Sequence, residues 1–209
     1  MNRTIVARQF NEKKLVLATH NRGKLKEISE LVGPLGINVI TPDELSIPEP
    51  VENGSTFIEN AKIKAWSAVI NSGKTSLSDD SGLVVPALNG APGIYSARWA
   101  GPGKNFTAAM ARLNKELGDK DRRAFFVAAL VLLWPDGHME AFEGKVHGML
   151  VWPPRGNLGF GYDPMFLPNG QKKTFGEFTP SEKHRYSHRS DAFNQLAAAC
   201  FSERNQLDK

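Results

Sequence analysis

The sequence predicts an α/β fold built on a mixed, twisted β-sheet with flanking helices. Three observations support this prediction. A short apolar run leads through a polar turn into a helical pattern, two further amphipathic helices follow, and a strand–turn–strand pattern occupies the second half of the chain. Strands that alternate with helices favour parallel pairing, whereas a hairpin contributes an antiparallel pair. The sheet is therefore predicted to be mixed.

The first part of the chain is predicted to form a strand, a polar loop, a helix and a second strand. Residues 15–18 are continuously apolar, which is typical of a strand buried on both faces. Residues 19–24 form a polar turn, and residues 37–40 begin the second strand. A helix that stops near Gly33 is predicted between them by apolar residues at helical spacing, namely Leu25, Ile28, Leu31 and Val32.

Two further helices have clear signals. The second helix starts with the capping-box spacing of Thr56 and Glu59 and ends at Gly73. One apolar stripe at intervals of four residues defines its buried face: Phe57, Ala61, Ala65 and Val69. The third helix spans about Phe106 to Leu117, with Gly118 after it. Each helix thus offers one apolar face to a sheet.

A hairpin is predicted after the third helix. Residues 123–134 are rich in β-branched, aromatic and aliphatic side chains, and Pro135-Asp136-Gly137 is a turn signal. Residues 139–147 are predicted to return as the partner strand. The segment 152–168, rich in Pro and Gly, is predicted to be a loop with buried aromatic anchors. A capping box with a proline at the first helical position, residues 179–182, predicts another helix start.

Length and composition fit one globular domain. The chain has 209 residues, of which 41% are hydrophobic and 23% charged. We assign the domain to residues 14–209 and interpret residues 1–13 as a loosely docked arm, because they lack the apolar centre of a signal peptide. The longest apolar run, residues 124–134, is too short to cross a bilayer, and the single Cys200 excludes an internal disulfide. We expect a cytoplasmic protein without a membrane partner.

The net charge of +4 favours anionic partners. The basic residues form no long cluster, so a nucleic-acid partner is not indicated, and a small polyanion such as a nucleotide fits as well. A nucleic-acid-binding module that stacks bases on Trp and Phe is the alternative from another functional class. The adjacent carboxylates of Asp79 and Asp80 argue against that module, because they would repel phosphate unless a metal ion intervened.

The stretch Ser78-Asp79-Asp80-Ser81-Gly82-Leu83 places two carboxylates between a short β-type run and a Ser-Gly turn. Adjacent carboxylates suit Mg²⁺, which takes oxygen ligands and keeps several waters. Glu49 and Glu52, before the second helix, could supply a further metal ligand. Two alternatives stay open: the Asp pair caps the next turn, and the Glu49–Glu52 loop is simply solvated.

The polar turn after the first strand has features of a phosphate-binding loop. A turn that leads into a helix presents backbone N–H groups and the positive end of the helix dipole. Thr19 and Asn21 add neutral donors, Gly23 allows close approach, and Lys24 adds a cation. The loop is not a Walker A motif, because the first glycine of that motif is absent and Leu25 replaces its Ser or Thr. A polar turn with a solvated lysine is the alternative.

The segment Gly159-Phe160-Gly161-Tyr162-Asp163-Pro164 places two aromatic rings beside glycines in a tight turn. An exposed ring face in such a turn suits stacking on a base, and Asp163 could orient the turn or accept from a ligand. The alternative is that both rings anchor a long loop in the core.

A third segment contains Lys183, His188 and Arg189, which would gather three donors around a base or phosphates. His184 and His188 have the i, i+4 spacing of zinc ligands, but no third ligand is evident, so zinc is disfavoured.

Six segments, in the same order along the chain, resemble the noncanonical purine nucleoside triphosphate pyrophosphatases, the dITP/XTP (inosine triphosphate) house-cleaning enzymes. The resemblance runs from about Leu15 to Phe193. The segments are LATHNRGK at 17–24, TFIENA at 56–61, SDDSGL at 78–83, GAPGIYSAR at 90–98, GFGYDP at 159–164, and Glu182-Lys183 with Ser187-His188-Arg189.

The resemblance implies two lobes around a central nucleotide-binding cleft. It also implies hydrolysis of dITP, ITP or XTP to the monophosphate plus pyrophosphate, Mg²⁺ as the cofactor, and a homodimer.

The resemblance also implies individual roles. Asp80 would be the general base and a metal ligand, and Glu52 the other metal carboxylate, with Glu49 still open. The phosphates would be held by Thr19, His20, Asn21, Arg22, Gly23 and Lys24, although no separate role is assigned to His20 or Arg22. The remaining substrate contacts would be Ser81, Phe160, Gly161, Tyr162, Asp163, Lys183, His188 and Arg189.

Base selection follows from donor chemistry. Donors from Lys183, His188 or Arg189 suit the 6-oxo group of hypoxanthine or xanthine and would leave a 6-amino group facing other donors. The alternative within catalysis is a Maf-like pyrophosphatase that acts on pyrimidine or modified nucleotides, although such a chain would not be expected to contain the Ser-His-Arg segment.

Overall fold

The computed structural model describes residues 7–202, and its centre is a six-stranded mixed sheet. The strands are β1 (Lys14–Leu17), β2 (Asn38–Ile40), β3 (Ser76–Val84), β4 (Arg123–Leu133), β5 (Met139–Leu150) and β6 (Phe166–Pro168), in the order β2-β1-β3-β4-β5-β6. Strand β1 pairs in parallel with β2 and β3, and β5 pairs antiparallel with β6. The predicted mixed α/β fold is confirmed.

The helices are α1 (Arg22–Val32), α2 (Phe57–Ser72), α3 (Ser96–Trp99), α4 (Phe106–Leu117), α5 (Pro180–His184) and α6 (His188–Cys200). None of the helices within residues 7–202 is long and apolar enough to span a membrane. The chain divides into two compact units. Of the described residues, the first unit contains 7–80, 129–143 and 191–202, and the second contains Ser81–Ala128 and Gly144–Ser190.

In the first unit, helix α2 covers strands β3 and β4. The predicted stripe on α2 packs against alternate residues of β4, and this cluster includes Ala61, Ala65, Val69, Ala129, Val131 and Leu133. Two hydroxyls of β3 donate to carbonyls of the same helix: Ser76 Oγ to Ala65 O (2.9 Å) and Ser78 Oγ to Ala61 O (2.6 Å). Two residues along a strand and four along a helix both advance about 6–7 Å, so the two bonds form in register.

In the second unit, helix α4 packs its predicted apolar face into an aromatic core. Met110, Leu113 and Leu117 are buried together with Phe126 of β4 and Phe166 of β6. The short strand β6 lies within the segment 152–168 that was predicted to be a loop, so that prediction was wrong for its last three residues. Three residues carry too little periodicity to identify a strand, and β6 is defined by its pairing with β5.

The predicted arm is described only from residue 7, and its residues 1–6 lie outside the described part of the chain. Phe10 is buried and meets Phe201 edge-on at 5.4 Å, while its backbone N–H donates to the carbonyl of Cys200 (2.7 Å). The thiol of Cys200 is also buried. Residues around Phe10 are therefore part of the core of the first unit.

Candidate active site

The polar loop after β1 is organised by its own side chains. Asn21 caps helix α1, and its Oδ1 accepts from the backbone N–H groups of Gly23 (2.9 Å) and Lys24 (3.3 Å). Thr19 Oγ1 accepts from the N–H of Asn21 (3.2 Å). Asn21 therefore already pairs the N–H groups of Gly23 and Lys24, two of the backbone donors that the sequence offered for phosphate binding.

His20 lies in the same loop, and Arg22 is the first residue of α1. His20 Nε2 lies 2.9 Å from the carbonyl oxygen of Ile47, and the side chain of Arg22 is exposed on the first turn of α1. Their contacts give neither residue a separate role at the carboxylates.

Lys24 projects from the first turn of α1 to the carboxylate pair of β3. Its Nζ lies 2.7 Å from Asp79 Oδ1 and 3.9 Å from Asp80 Oδ1. Asp79 is fully buried and Asp80 nearly so. The alternative of a solvated lysine is therefore excluded, and both predicted carboxylates lie beside the phosphate-type loop.

Lys64 is the residue of this cluster that sequence analysis missed. It is buried on α2, and its Nζ donates to Glu52 Oε1 (2.8 Å) and to Asp80 Oδ1 (3.0 Å). The structure thus brings Glu52, and not the exposed Glu49, to Asp80. A usable signal existed: a lysine interrupts the small apolar residues of α2 one turn after Asn60.

Asn60, also buried on α2, completes the surroundings of Asp80. Its Nδ2 donates to Asp80 Oδ2 (3.4 Å), and its Oδ1 accepts from the N–H of Gly54 (2.8 Å). Asn60 therefore ties the loop that contains Glu52 to the same helix and carboxylate as Lys64.

The charges in this cluster shift each other's protonation. Burial raises the pKa of Asp80, an effect that Lys24 and Lys64 oppose and Glu52 reinforces, so the pKa lies above the ordinary aspartate value. Burial alone would lower the pKa of Lys64, but attraction to Asp80, Glu52 and Asp79 outweighs it and the pKa is raised. Lys64 is therefore charged at neutral pH, and Asp80 is a stronger base than a solvated aspartate.

The carboxylates of this cluster suit a hard divalent cation that a bound ligand also coordinates. Among residues 7–202, no cluster of three or more His, Cys, Asp or Glu side chains could hold a metal ion by itself. Glu52 and Asp80 nevertheless both contact the ammonium group of Lys64, and Asp79 contacts that of Lys24. Mg²⁺ is commonly bound by one or two carboxylates plus substrate phosphates, which this set can provide.

In the second unit, the turn 159–163 is fixed by Asp163. Asp163 Oδ2 accepts from the N–H of Phe160 (2.8 Å) and from Lys183 Nζ (2.5 Å), and both ionic side chains are buried. Gly159 has φ 72°, and a Cβ at this position would collide with the Asp163 carboxylate. Asp163 thus orients the turn, as one sequence interpretation suggested.

The two aromatic rings of this turn have different environments. Phe160 is half-buried, and Lys183 Nζ lies 4.6 Å from its ring centroid. Tyr162 is buried, donates its hydroxyl to Ser96 O (3.1 Å) and meets Phe106 edge-on. The expectation of an exposed stacking face is thus wrong for Tyr162, whose side chain is a core anchor, and it stays a prediction for Phe160.

His188 and Arg189 begin helix α6 and are both buried. His188 stacks on Phe126 with ring centroids 4.9 Å apart and planes within 16°. Arg189 Nη2 donates to Ser81 Oγ (2.9 Å) and lies near the face of Phe160, with Cζ 6.0 Å from the ring centroid. Lys183, Arg189, Phe160 and Ser81 therefore form one group in the second unit.

Comparison with known proteins identifies the family. The model of the Ham1 family matches residues 15–199, and the chain belongs to this family. It is similar to the dITP/XTP pyrophosphatase of Rhodospirillum centenum, with 55% identity over 93% of this chain and 98% of the relative. It is also similar to the dITP/XTP pyrophosphatase of Zymomonas mobilis, with 53% identity over 92% of this chain and 94% of the relative.

Solved structures agree with this assignment. The HAM1 protein of Coxiella burnetii superposes with a TM-score of 0.82 at 38% identity, covering 90% of this chain and 98% of that one. The Ham1 protein of Staphylococcus aureus gives a TM-score of 0.80 at 39% identity, covering 89% and 97%. Membership of the Ham1 family decides against the Maf-like alternative.

Proposed function

We propose that the protein hydrolyses noncanonical purine nucleoside triphosphates (dITP, ITP and XTP) to the monophosphate and pyrophosphate, with Mg²⁺ as the cofactor. The observation that carries this proposal is the buried cluster of Asp80, Lys64, Glu52 and Lys24, in which the pKa of the Asp80 carboxyl is raised and Lys64 stays charged. The names of the two relatives support the choice of substrate.

Asp80 is proposed to accept the proton of the attacking water. A bond forms between the water oxygen and the α-phosphorus, and the bond from that phosphorus to the bridging oxygen breaks as pyrophosphate leaves. The raised pKa of Asp80 suits proton acceptance. Lys64 holds Asp80 and Glu52 in position, and Lys24 holds Asp79. Charged donors in a buried site stabilise the negative charge of the leaving group.

Glu52 and Asp80, which both contact Lys64, are the residues that would hold Mg²⁺. When bound there, the ion would neutralise phosphate charge and make the attacking water more acidic.

Residues of the second unit are proposed to recognise the purine. Phe160 offers a half-buried ring for stacking, and Lys183, His188 and Arg189 supply the donors for a 6-oxo group. An ammonium group has three N–H donors, so the bond from Lys183 to Asp163 does not by itself exhaust it. Adenine would place an amino group against these donors, and buried groups left unpaired discriminate strongly.

We also propose that the protein works in the cytoplasm as a homodimer. Light scattering coupled to size-exclusion chromatography tests the assembly directly. The side chain of Trp99 is half-buried beneath the guanidinium of Arg112 (3.9 Å to the ring centroid), so it is a poor candidate for the interface.

The test of the activity is an incubation of the purified protein and Mg²⁺ with dITP, XTP, dATP and dGTP, in which pyrophosphate and orthophosphate are measured separately. Pyrophosphate is expected preferentially from dITP and XTP, and Asp80→Asn is expected to lose it by about 100-fold or more. Asp119→Asn, which changes an exposed aspartate, is the matched control. Orthophosphate as the product would place the attack at the γ-phosphorus and contradict the proposal.

A further inference from the structure

A closed ring of contacts in the second unit begins and ends on strand β3. From Ser81 the contacts run through Arg189 to the turn 159–163. They continue from Tyr162 in this turn to Ser96, and from Ser96 back to the strand at Leu83, two residues after Ser81. One half of the ring contains the groups proposed to bind the purine. The other half belongs to the segment 90–98, which the proposed mechanism does not use.

Ser96 is the centre of that second half. Its Oγ accepts from the N–H of Leu83 (3.0 Å) and donates to Gly93 O (2.6 Å), so the side chain joins the strand to the segment 90–98. Its carbonyl oxygen accepts from the hydroxyl of Tyr162 (3.1 Å). Both Ser96 and Tyr162 are buried, where a hydrogen bond fixes position strongly because a lost partner is not replaced by bulk water.

The position of Tyr162 determines where the proposed purine contacts lie. It immediately precedes Asp163, whose carboxylate holds the N–H of Phe160 and the ammonium of Lys183. The turn is tight, with Asp163 N–H donating to the carbonyl of Phe160 (3.3 Å). A shift of Tyr162 therefore moves Phe160 and the partner of Lys183 together, whereas Arg189 stays bonded to Ser81 on the strand.

We infer that Ser96 and Tyr162 are positioning residues for purine selection: they set the distance between the Phe160 turn and β3, and neither side chain touches the substrate. This inference rests on the proposed function. Discrimination between a 6-oxo and a 6-amino group depends on where donors stand relative to the base, so a loosened turn lowers selectivity. It has less effect on the chemistry at Asp80, which is held by residues of the first unit.

The test uses Tyr162→Phe, which deletes the hydroxyl and keeps the ring that packs on Phe106. Values of kcat and KM are measured for dITP and dATP with each protein. The loss of one buried hydrogen bond corresponds to about a fivefold change, so we expect the ratio of kcat/KM for dITP over dATP to fall about fivefold, chiefly through KM for dITP. Tyr95→Phe, at an exposed tyrosine one residue before Ser96, is the matched control.

A purely structural role predicts a different result. Partial unfolding lowers the concentration of active enzyme, which reduces kcat for both nucleotides by one factor and leaves KM and the ratio unchanged. Ser96→Ala, which removes the bond to Leu83 N–H, gives a second perturbation of the same ring. We expect this variant to lower the ratio as well. In the double variant, the combined effect on the ratio should be smaller than the two single effects added as free energies, because the two residues act in one network.

The outcomes separate the inference from the function on which it rests. A fallen ratio in Tyr162→Phe and Ser96→Ala, with Tyr95→Phe at the wild-type value, supports the inference. Hydrolysis of dITP by the wild type with a ratio that neither variant moves overturns the inference alone. A wild type that releases no pyrophosphate from dITP overturns the proposed function, and the inference falls with it.

Discussion

Replacement of Lys64 by methionine tests the central electrostatic feature of the first unit. The substitution keeps much of the apolar stem and removes the ammonium group, which lies 2.8 Å from Glu52 Oε1 and 3.0 Å from Asp80 Oδ1. Asp80 would then remain in a buried site without its main charged donor on α2. The variant should fold less stably, since a buried charge that loses its partner is costly.

The magnitude follows from burial and from the remaining partners. Removing one partner of a buried ion pair typically destabilises a protein by about 3–5 kcal/mol. The lower end applies here, because the side chain of Glu52 is 26% exposed and Lys24 still lies 3.9 Å from Asp80. We therefore expect a loss of about 3 kcal/mol, or roughly 6–12 °C in Tm for a chain of this length.

The loss should depend on pH in a definite direction. Burial already raises the pKa of Asp80 above the ordinary value of 3.8, and removal of Lys64 deletes one effect that opposes the shift. A carboxyl group whose pKa is raised in the folded state binds more protons there, so its stabilising contribution is present at low pH and is lost as the pH rises through the folded-state pKa. The deficit of the variant should be smaller at about pH 5 than at about pH 8.

Urea unfolding followed by far-UV circular dichroism measures this deficit. Lys62→Met, at an exposed lysine of the same helix, is the control and should change the midpoint little. A deficit for Lys64→Met below about 1 kcal/mol, which is the value of an exposed ion pair, would refute the reasoning. So would a deficit that stays constant between the two pH values.

Three further predictions concern other buried contacts. Gly159→Ala should lower Tm more than Gly137→Ala: both positions have positive φ (72° and 87°), which costs about 1–2 kcal/mol, but only at Gly159 would the new Cβ collide with Asp163. Equal shifts in thermal melts would exclude that collision. Burial raises the pKa of the Cys200 thiol to about 12, so iodoacetamide should label the folded protein far more slowly than the urea-unfolded protein, and similar rates by mass spectrometry would contradict this. Ser78→Ala should reduce the free energy of unfolding by about 1 kcal/mol in urea titrations, through loss of the bond to α2, and a neutral result would mean that packing alone fixes the strand.

Helices with both a cap and an apolar stripe were predictable from the sequence. Helix α4 begins at Phe106 and ends at Leu117 as predicted, because an asparagine caps its start and Gly118 follows its end. Helix α2 also begins where expected, with Thr56 Oγ1 accepting from the N–H of Glu59 (3.1 Å). The Glu59 carboxylate accepts chiefly from the N–H of Ser55 (2.6 Å) and more weakly from that of Thr56, which is the reciprocal donor of a capping box. Local sequence therefore fixes where a helix starts more reliably than which neighbour completes its cap.

The candidate site was predictable only where its functional residues are adjacent in the sequence. Asp79 and Asp80 stand together in the sequence, and the structure places them beside Lys24. Lys64 is sixteen positions from Asp80 in the sequence and meets it only because α2 packs on β3. Pairings of this kind depend on tertiary packing, and so the partners of Lys24 and Lys64 were not accessible from the sequence.

The two serine hydroxyls of β3 bear on how the protein responds to temperature. Apolar contacts have no preferred direction and weaken on cooling, so alone they would let a strand slide beneath a helix. The bonds from Ser76 and Ser78 to carbonyls of α2 have a direction, and they permit one alignment of strand and helix. Asp80 is the next residue on the same face of the strand, so its alignment with Lys64 is set by these bonds. The geometry of the acidic cluster should therefore persist in the cold, where the apolar core that surrounds it loses strength.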